Sequence, residues 1–155
     1  MKLNDDLRIV DNDLYLGMLK ELLLDQGKEV SILVSGGSMT PFLIHQRDKV
    51  LLSPVSGPLR RGDVVMYQRD NGMYVLHRIV RLQKDGRYVL CGDAQIQLEP
   101  NVCREQIFAR VSAIERKGTW IGEKSFFWWF FMQVWSRVIP ARHLLMRMYS
   151  LVKQS

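Results

Sequence analysis

The sequence is poor in cysteine and contains only Cys91 and Cys103. Two cysteines are too few for a disulfide framework, and these two lie too far apart in the chain to form a ligand pair for a metal. We therefore interpret both as reduced side chains and expect no structural zinc site. No motif in the sequence indicates a metal or another cofactor.

Long hydrophobic segments are also missing. Residues 1–30 carry charges throughout and lack an apolar core of signal-peptide length. In residues 126–135 only Gln133 is polar, but Arg137 and Pro140 interrupt the run before it reaches the roughly 20 apolar residues that a spanning helix needs. The sequence therefore predicts neither a secretion signal nor a membrane-spanning anchor, and we expect a cytoplasmic protein.

Acidic side chains are missing from the C-terminal end. Residues 124–155 contain five Lys or Arg and no Asp or Glu, so they account for +5 of the net charge of +6. All four tryptophans lie close by, between positions 120 and 135. A basic charge concentrated among aromatic residues at one end, rather than spread over the predicted strands, is not typical of a nucleic-acid site. We expect no nucleic-acid partner.

The chain does contain a regular succession of short apolar runs and turns. Residues 13–26 predict an amphipathic helix that packs on the rest of the protein. The apolar side chains at helical spacing are Leu14, Met18, Leu22 and Leu23. Between positions 29 and 117, β-branched and aliphatic runs separated by Gly, Pro, Asn and Asp predict about six strands. The dipeptides Asn71-Gly72 and Asp85-Gly86 suit tight hairpin turns.

These patterns predict a mainly β protein in three parts. Residues 1–28 form an N-terminal helix packed on the body, residues 29–118 form a β domain, and residues 119–155 form an amphipathic helical tail. Beyond Pro140 the tail combines an apolar stripe with basic side chains. The stripe consists of Leu144, Leu145, Met148, Leu151 and Val152, and the basic residues are Arg142, Arg147 and Lys153.

The tail has two interpretations. Aromatic residues beside a basic amphipathic helix favour an element that lies in a membrane interface with anionic headgroups, which residues 124–153 would contact. The alternative is a terminal helical hairpin that packs on the β body or on a second copy of the chain.

Four polar residues are candidates for chemistry, although each has an ordinary explanation when taken alone. Ser38 lies in "SGGSMTPF", where the glycines suit a turn, and His77 lies in the apolar strand "VLHRIV". Asp93 and Glu99 lie in "CGDAQIQLEP", and a Gly-Asp pair is common in turns. Together, a hydroxyl, an imidazole and a carboxylate are the parts of an activated nucleophile. A serine hydroxyl needs a base to remove its proton, and an imidazole with a pKa of about 6.5 is mostly free at neutral pH.

The order and spacing of these segments resemble the conserved boxes of the type I signal peptidase superfamily, which also contains the self-cleaving repressors. The matching segments are "SGGSMTP", "RDKVLL", "RRGDVVMY", "HRIV" and "GDAQIQLEP", and they cover residues 30 to about 117. The resemblance implies a signal-peptidase-like β body with Ser38 as the nucleophile. His77 falls where the endoplasmic-reticulum and sporulation-type signal peptidases carry histidine and other members carry lysine. The chain therefore resembles a Ser-His variant.

The resemblance also implies roles for the acids. Asp93 matches the aspartate of the Gly-Asp box and is expected to orient and stabilise His77, and Glu99 is a second candidate for that role. Signal peptidases usually have a helper serine two residues before the nucleophile, but this chain has Gly36 there. We therefore expect the oxyanion to bind backbone groups. The expected donors are the N–H groups of Gly36, Gly37 and Ser38.

The function expected from the sequence is that of a serine endopeptidase in which Ser38 attacks a peptide carbonyl and His77 acts as general base and then as general acid. We expect an extended substrate to add a strand near "VSILVS" or "MYVLHR", and activity to fall as the pH drops through roughly 6 to 7. The tail predicts a peripheral position on the inner face of the membrane and cleavage of a leader or signal-like peptide there. The alternative is a catalytically inactive peptide-binding or assembly module of the same fold.

Overall fold

An antiparallel sheet of eight strands organises the computed structural model, which describes residues 12–153. The strands are β1 (Val30–Leu33), β2 (Asp48–Pro54), β3 (Val64–Gln68), β4 (Tyr74–Leu82), β5 (Tyr88–Cys91), β6 (Glu99–Val102), β7 (Ile107–Arg116) and β8 (Thr119–Gly122). Their order is β1-β2-β7-β3-β4-β5-β6, with β8 also paired to β7. The helices are α1 (Asn12–Gln26), α2 (Phe126–Gln133) and α3 (Arg142–Lys153). The mainly β fold with an N-terminal helix and a C-terminal helical segment is therefore confirmed, while residues 1–11 of the predicted N-terminal part lie outside the described residues.

The six predicted strands are all present, as β1 to β5 and β7. Both predicted hairpin turns connect them: the turn at Gly72 joins β3 to β4, and the turn at Gly86 joins β4 to β5. These glycines have φ values of +89° and +84°, which side-chain-bearing residues rarely adopt. The turn chemistry in the sequence therefore sets the register of the three strands.

Two short strands were not predicted. β6 contains Pro100 and Asn101, residue types that are unfavourable in strands. β8 follows a tight turn at Lys117 and Gly118, both with positive φ, and pairs with the second half of β7. Residues 119–122 therefore belong to the sheet, although the predicted boundary at 118 assigns them to the tail.

The two faces of the sheet are covered in different ways. Side chains alternate along β3, so Val64 and Met66 join one apolar cluster while Val65 and Tyr67 join another. The first cluster is covered by α1, α2 and the segment after β1. The second is enclosed by the curvature of the sheet itself, because Tyr67 on β3 reaches Glu99 on β6 although two strands separate them in the sheet.

Helix α1 packs on the first cluster through a different face from the one predicted. Its buried side chains are Leu16, Leu19 and Leu23, spaced by three and four residues. Leu14 and Met18, which the prediction placed on the packed face, are exposed. The helix contains more leucines than one face can hold, so spacing alone does not identify the buried stripe.

The C-terminal segment is packed on the β body up to Arg142 and is largely exposed beyond it. Trp128, Phe131 and Trp135 are buried in the first cluster, and Arg142 is completely buried. Residues 126–142 therefore pack on the β body, as one of the two interpretations predicts. Beyond them, Met146 of α3 is partly buried against the first cluster, while the other large apolar side chains of α3 are exposed. The exposed residues are Leu144, Leu145, Met148, Tyr149, Leu151 and Val152. Among the described residues, no helix has the length and apolar character needed to cross a bilayer.

Candidate active site

Ser38 lies in a tight turn, residues 36–42, shortly after β1. The buried carboxylate of Asp48 fixes the end of this segment, because it accepts hydrogen bonds from the N–H of Ile44 at 2.9 Å and from Arg116 at 2.8 Å. Burial alone would raise the pKa of Asp48, but hydrogen bonds from two arginines and from the Ile44 N–H lower it to about 2. The turn is therefore anchored by a carboxylate that stays charged at every ordinary pH.

The backbone around Ser38 offers two of the three expected oxyanion donors. Gly36 has a φ of +88°, and its N–H donates to Nδ1 of His45 at 2.8 Å, so this donor is already used. Within residues 12–153, the N–H groups of Gly37 and Ser38 have no protein acceptor. A Cβ built on Gly37 would meet nothing within 4 Å. The N–H groups of Gly37 and Ser38 are therefore available as donors to an acceptor outside the described residues.

A cavity of about 130 Å³ opens beside Ser38. Residues 34–36, which follow β1, form one wall, and residues 74–76 of β4 form the other. On β4, residues 74–77 pair with β3, whereas pairing with β5 begins only at Arg78. In the described part of the chain, β1 has β2 as its only neighbour. Both segments that the sequence predicts for peptide binding therefore have an unpaired edge near the cavity.

His77 follows Leu76, the last residue of β4 that lines the cavity. It is almost completely buried, with 3% of its surface exposed. Its Nδ1 lies 3.4 Å from the hydroxyl oxygen of Tyr67. Burial, together with the positive charge of Arg69, lowers the pKa of His77 to about 4. The imidazole is therefore neutral at pH 7, which is the form that can accept a proton.

Glu99 is connected to His77 through Tyr67. The Tyr67 hydroxyl donates to Oε2 of Glu99, and Oε1 of Glu99 forms an ion pair with Arg69 at 2.5 Å. Because the hydroxyl hydrogen of Tyr67 goes to the carboxylate, its oxygen is left to accept from Nδ1–H of His77. Nε2 is then the basic nitrogen of the ring. Burial raises the pKa of Glu99. The second candidate acid is thus the one that the structure links to the imidazole.

Asp93 makes a different contact from the one expected. Its two carboxylate oxygens accept from Nε and Nη2 of Arg78 at 2.9 and 2.7 Å, and both side chains are completely buried. Adjacent residues of a strand point to opposite faces, so Arg78 and Asp93 lie on the face of β4 opposite to His77. No hydrogen bond among the described residues joins Asp93 to His77, because the two side chains lie on opposite faces of the sheet. The expected role of Asp93 in orienting His77 is therefore not supported.

No hydrogen bond joins Ser38 to His77 in the described part of the chain, where the only hydrogen-bond partner of the His77 ring is Tyr67. The cavity that Ser38 borders extends to Leu76, the residue directly before His77. Hydrogen bonds between a nucleophile and its base are often long or unformed in the absence of substrate. The structure thus brings the candidate nucleophile to the strand of the candidate base but not into direct contact with it.

Sequence reasoning missed Tyr67 and Arg69 as site residues. An available signal was the Asn71-Gly72 turn, because it fixes the pairing of β3 with β4 and sets Val65 opposite His77. Tyr67 is two residues from Val65 and therefore shares the face of the sheet on which His77 lies. The contribution of Glu99 had no such signal, because it depends on the curvature that brings β6 to β3.

Comparisons of the sequence with protein-family models and with curated proteins find no match. The function of this chain is therefore inferred from its own geometry and from the resemblance of its motifs.

Proposed function

We propose that the protein is a serine endopeptidase of the signal peptidase I-like superfamily that uses Ser38 and His77. The central observation is the surroundings of Ser38. Beside it lie two backbone N–H groups and two strand edges that have no partner among residues 12–153, with a cavity between the edges. One of those strands bears a buried, neutral imidazole. These are the parts that acyl transfer from a peptide requires.

In the proposed reaction, Nε2 of His77 removes the hydroxyl proton as Oγ of Ser38 bonds to the peptide carbonyl carbon. The electron pair displaced onto the carbonyl oxygen is stabilised by the N–H groups of Gly37 and Ser38. The C–N bond then breaks, and His77 gives its proton to the leaving amine. Water, deprotonated by the same imidazole, attacks the acyl ester and releases Ser38. Oγ of Ser38 and Nε2 of His77 must approach to about 3 Å when substrate binds.

Glu99 is the acid that best supports this cycle. Its carboxylate accepts a hydrogen bond from the Tyr67 hydroxyl, which leaves the Tyr67 oxygen to accept one from Nδ1 of His77. When His77 gains a proton, the negative charge at the end of this chain stabilises the imidazolium. Arg69 is paired with the same carboxylate and favours its charged form.

The substrate is an extended peptide that pairs with the strand edges beside the cavity. Residues 74–77 of β4 and the free side of β1 have N–H and C=O groups that no other described strand uses. A peptide bound between them would pass over Ser38, because the cavity wall after β1 and the wall on β4 both adjoin it.

The proposed setting is the inner face of a membrane, where the enzyme cleaves a leader or signal-like peptide. The exposed apolar side chains of α3 lie on the same helix as Arg147 and Lys153, and Phe126 and Trp129 of α2 are also exposed. No acidic residue follows Glu123 to repel anionic headgroups. This combination suits a peripheral, interfacial element.

A second candidate function is that of a peptide-binding or assembly module of the same fold without catalysis. The observation in its favour is that no hydrogen bond joins Ser38 to His77 in the described residues, while the unpaired strand edges remain available for a peptide. Such a module would bind peptides and leave them intact.

A test of the enzyme proposal is incubation of the full chain with a mixture of leader-like peptides, followed by mass spectrometry of the products. The proposal expects cleavage by the wild type and its loss, by at least a thousandfold, in Ser38→Ala. Cleavage that is unchanged in Ser38→Ala, or peptides that bind and stay intact in both proteins, would contradict it.

A further inference from the structure

Arg142, the first residue of α3, is completely buried and binds backbone carbonyl groups. Its Nη1 donates to the carbonyls of Gly92 at 2.9 Å and Gln95 at 3.0 Å, and its Nη2 donates to the carbonyl of Trp135 at 3.0 Å. The nearest carboxylate oxygen belongs to Asp93 and lies 3.9 Å from Nη2. A buried guanidinium therefore holds residues 92–95, which we call the 92–95 loop.

Trp135 binds the same loop from the C-terminal segment. Its indole Nε1 donates to the carbonyl of Asp93 at 2.9 Å, and its ring lies 5.6 Å from the guanidinium carbon of Arg142. Three carbonyls of the 92–95 loop are thus bound by two side chains that follow the sheet in sequence. The loop is fixed from the side of the C-terminal segment.

On its other side the 92–95 loop contacts the backbone of Ser38. The N–H of Ala94 donates to the carbonyl of Ser38 at 2.9 Å. Gly92 approaches so closely that a Cβ built on it would lie 2.6 Å from the same carbonyl oxygen. A displacement of this loop therefore displaces the peptide unit of the candidate nucleophile.

We propose that Arg142 is a positioning residue that holds Ser38 in place through the 92–95 loop. The inference rests on the proposed function of Ser38 as a nucleophile. The planar guanidinium donates in several fixed directions at once, whereas a lysine ammonium at the end of a flexible chain does not reproduce this fork. Burial lowers the pKa of Arg142, but an arginine keeps its charge at every ordinary pH. Arg142→Lys therefore retains the charge and loses the geometry.

The test compares wild type with Arg142→Lys by two measurements. The first is the rate constant for covalent labelling of Ser38 by a fluorophosphonate at saturating probe, and the second is the hydrogen-exchange rate of the Ala94 amide. We expect labelling to slow by at least tenfold while the final labelled fraction stays complete, and exchange to accelerate by at least tenfold. An irreversibly unfolded subpopulation would instead lower the labelled fraction and leave the rate constant of the folded molecules unchanged.

Matched variants keep the result interpretable. Arg147→Lys makes the same change at an exposed position of α3 and should leave both rates within twofold of wild type. Trp135→Phe removes only the indole donor and should shift both rates in the same direction as Arg142→Lys, by about threefold, even if Arg142→Lys does not fold. Unchanged exchange, or faster exchange with an unchanged labelling rate, overturns the inference. A wild type that is labelled no more than Ser38→Ala contradicts instead the proposed function on which it rests.

Discussion

The hydroxyl of Tyr67 donates a hydrogen bond to the carboxylate of Glu99, although two strands lie between β3 and β6 in the order of the sheet. The same hydroxyl lies 3.4 Å from Nδ1 of His77. One contact therefore closes the curved sheet and connects the candidate base to an acid. Loss of the Tyr67 hydroxyl should therefore change the reactivity that depends on His77 more than the stability of the fold.

Tyr67→Phe tests this connection. The phenyl ring keeps the packing, but His77 loses its partner at Nδ1, so Ser38 should react about 10- to 100-fold more slowly with a fluorophosphonate, out of the roughly 10²- to 10⁴-fold that a general base contributes. Tyr88→Phe is the matched control, because Tyr88 is buried in the same apolar cluster. An equal effect of the two substitutions would argue against the connection through Tyr67.

Asp93 and Glu99 should differ in what their loss affects. Asp93→Asn leaves the completely buried Arg78 without its ion partner and should lower the free energy of unfolding by about 3–5 kcal/mol. Glu99 is partly exposed, so Glu99→Gln should cost under about 1 kcal/mol while slowing the reaction of Ser38. Urea unfolding and labelling rates measure both quantities. If Asp93→Asn kept the stability of the wild type and slowed the labelling of Ser38, the acid that supports His77 would be Asp93.

The pKa of His77 sets the acid limb of activity. An ordinary imidazole would lose activity between pH 7 and 6, but burial and Arg69 lower this pKa to about 4. The neutral, active form therefore persists as the pH falls, and the second-order rate of Ser38 labelling should be nearly constant from pH 7 to 5.5 and half-maximal near pH 4. A half-maximal rate near pH 6.5, or a rise only near pH 9, would contradict this assignment.

Arg69→Gln should raise the pH at which activity is lost on the acid side of the pH profile. Removing the positive charge relieves its effect on the imidazolium and releases the Glu99 carboxylate, so the pKa of His77 should rise and activity should be lost at a higher pH than in wild type. Arg81→Gln, at an exposed position of β4, the strand that carries His77, is the control for a change of net charge. An equal shift of the acid side of the pH profile in both variants would indicate only a general charge effect.

The exposed face of α3 should bind anionic lipid. Each basic residue near such a surface contributes about 1 kcal/mol, so Arg147→Gln with Lys153→Gln should weaken binding by about 2 kcal/mol, or roughly thirtyfold. Sedimentation with phosphatidylglycerol vesicles measures this change. The double substitution Arg81→Gln with Lys84→Gln removes the same charge from β4 and the turn that follows it, and should have less than a threefold effect. Equal losses, or no binding by the wild type, would contradict the proposed membrane setting.

Local patterns in the sequence predicted most of the sheet because strand runs and hairpin turns are set by neighbouring residues. The apolar run in "DVVMYQ" and the Asn71-Gly72 turn predict β3, β4 and their register without reference to the rest of the chain. β6 was not predictable in this way, because Pro100 and Asn101 oppose a strand and its pairing comes from β5. The buried face of α1 was also predicted incorrectly, because it is determined by the long-range contacts of the helix with the first cluster.

The candidate site was predicted in its residue types and less well in its contacts. Ser38 and His77 could be selected from motifs, but the choice between the two acids depends on which face of β4 each one meets. The tail showed the same limit: composition identified its apolar and basic character, whereas the burial of Arg142 and Trp135 against the 92–95 loop is a long-range contact that no local pattern encodes.

The most direct test of the central claim is covalent labelling of the full chain by a fluorophosphonate, located by mass spectrometry. We expect one adduct, on Ser38, that is absent from Ser38→Ala and forms at least a hundredfold more slowly in His77→Gln. No adduct above the Ser38→Ala level, or labelling at Ser38 that is equally fast in His77→Gln, would contradict it.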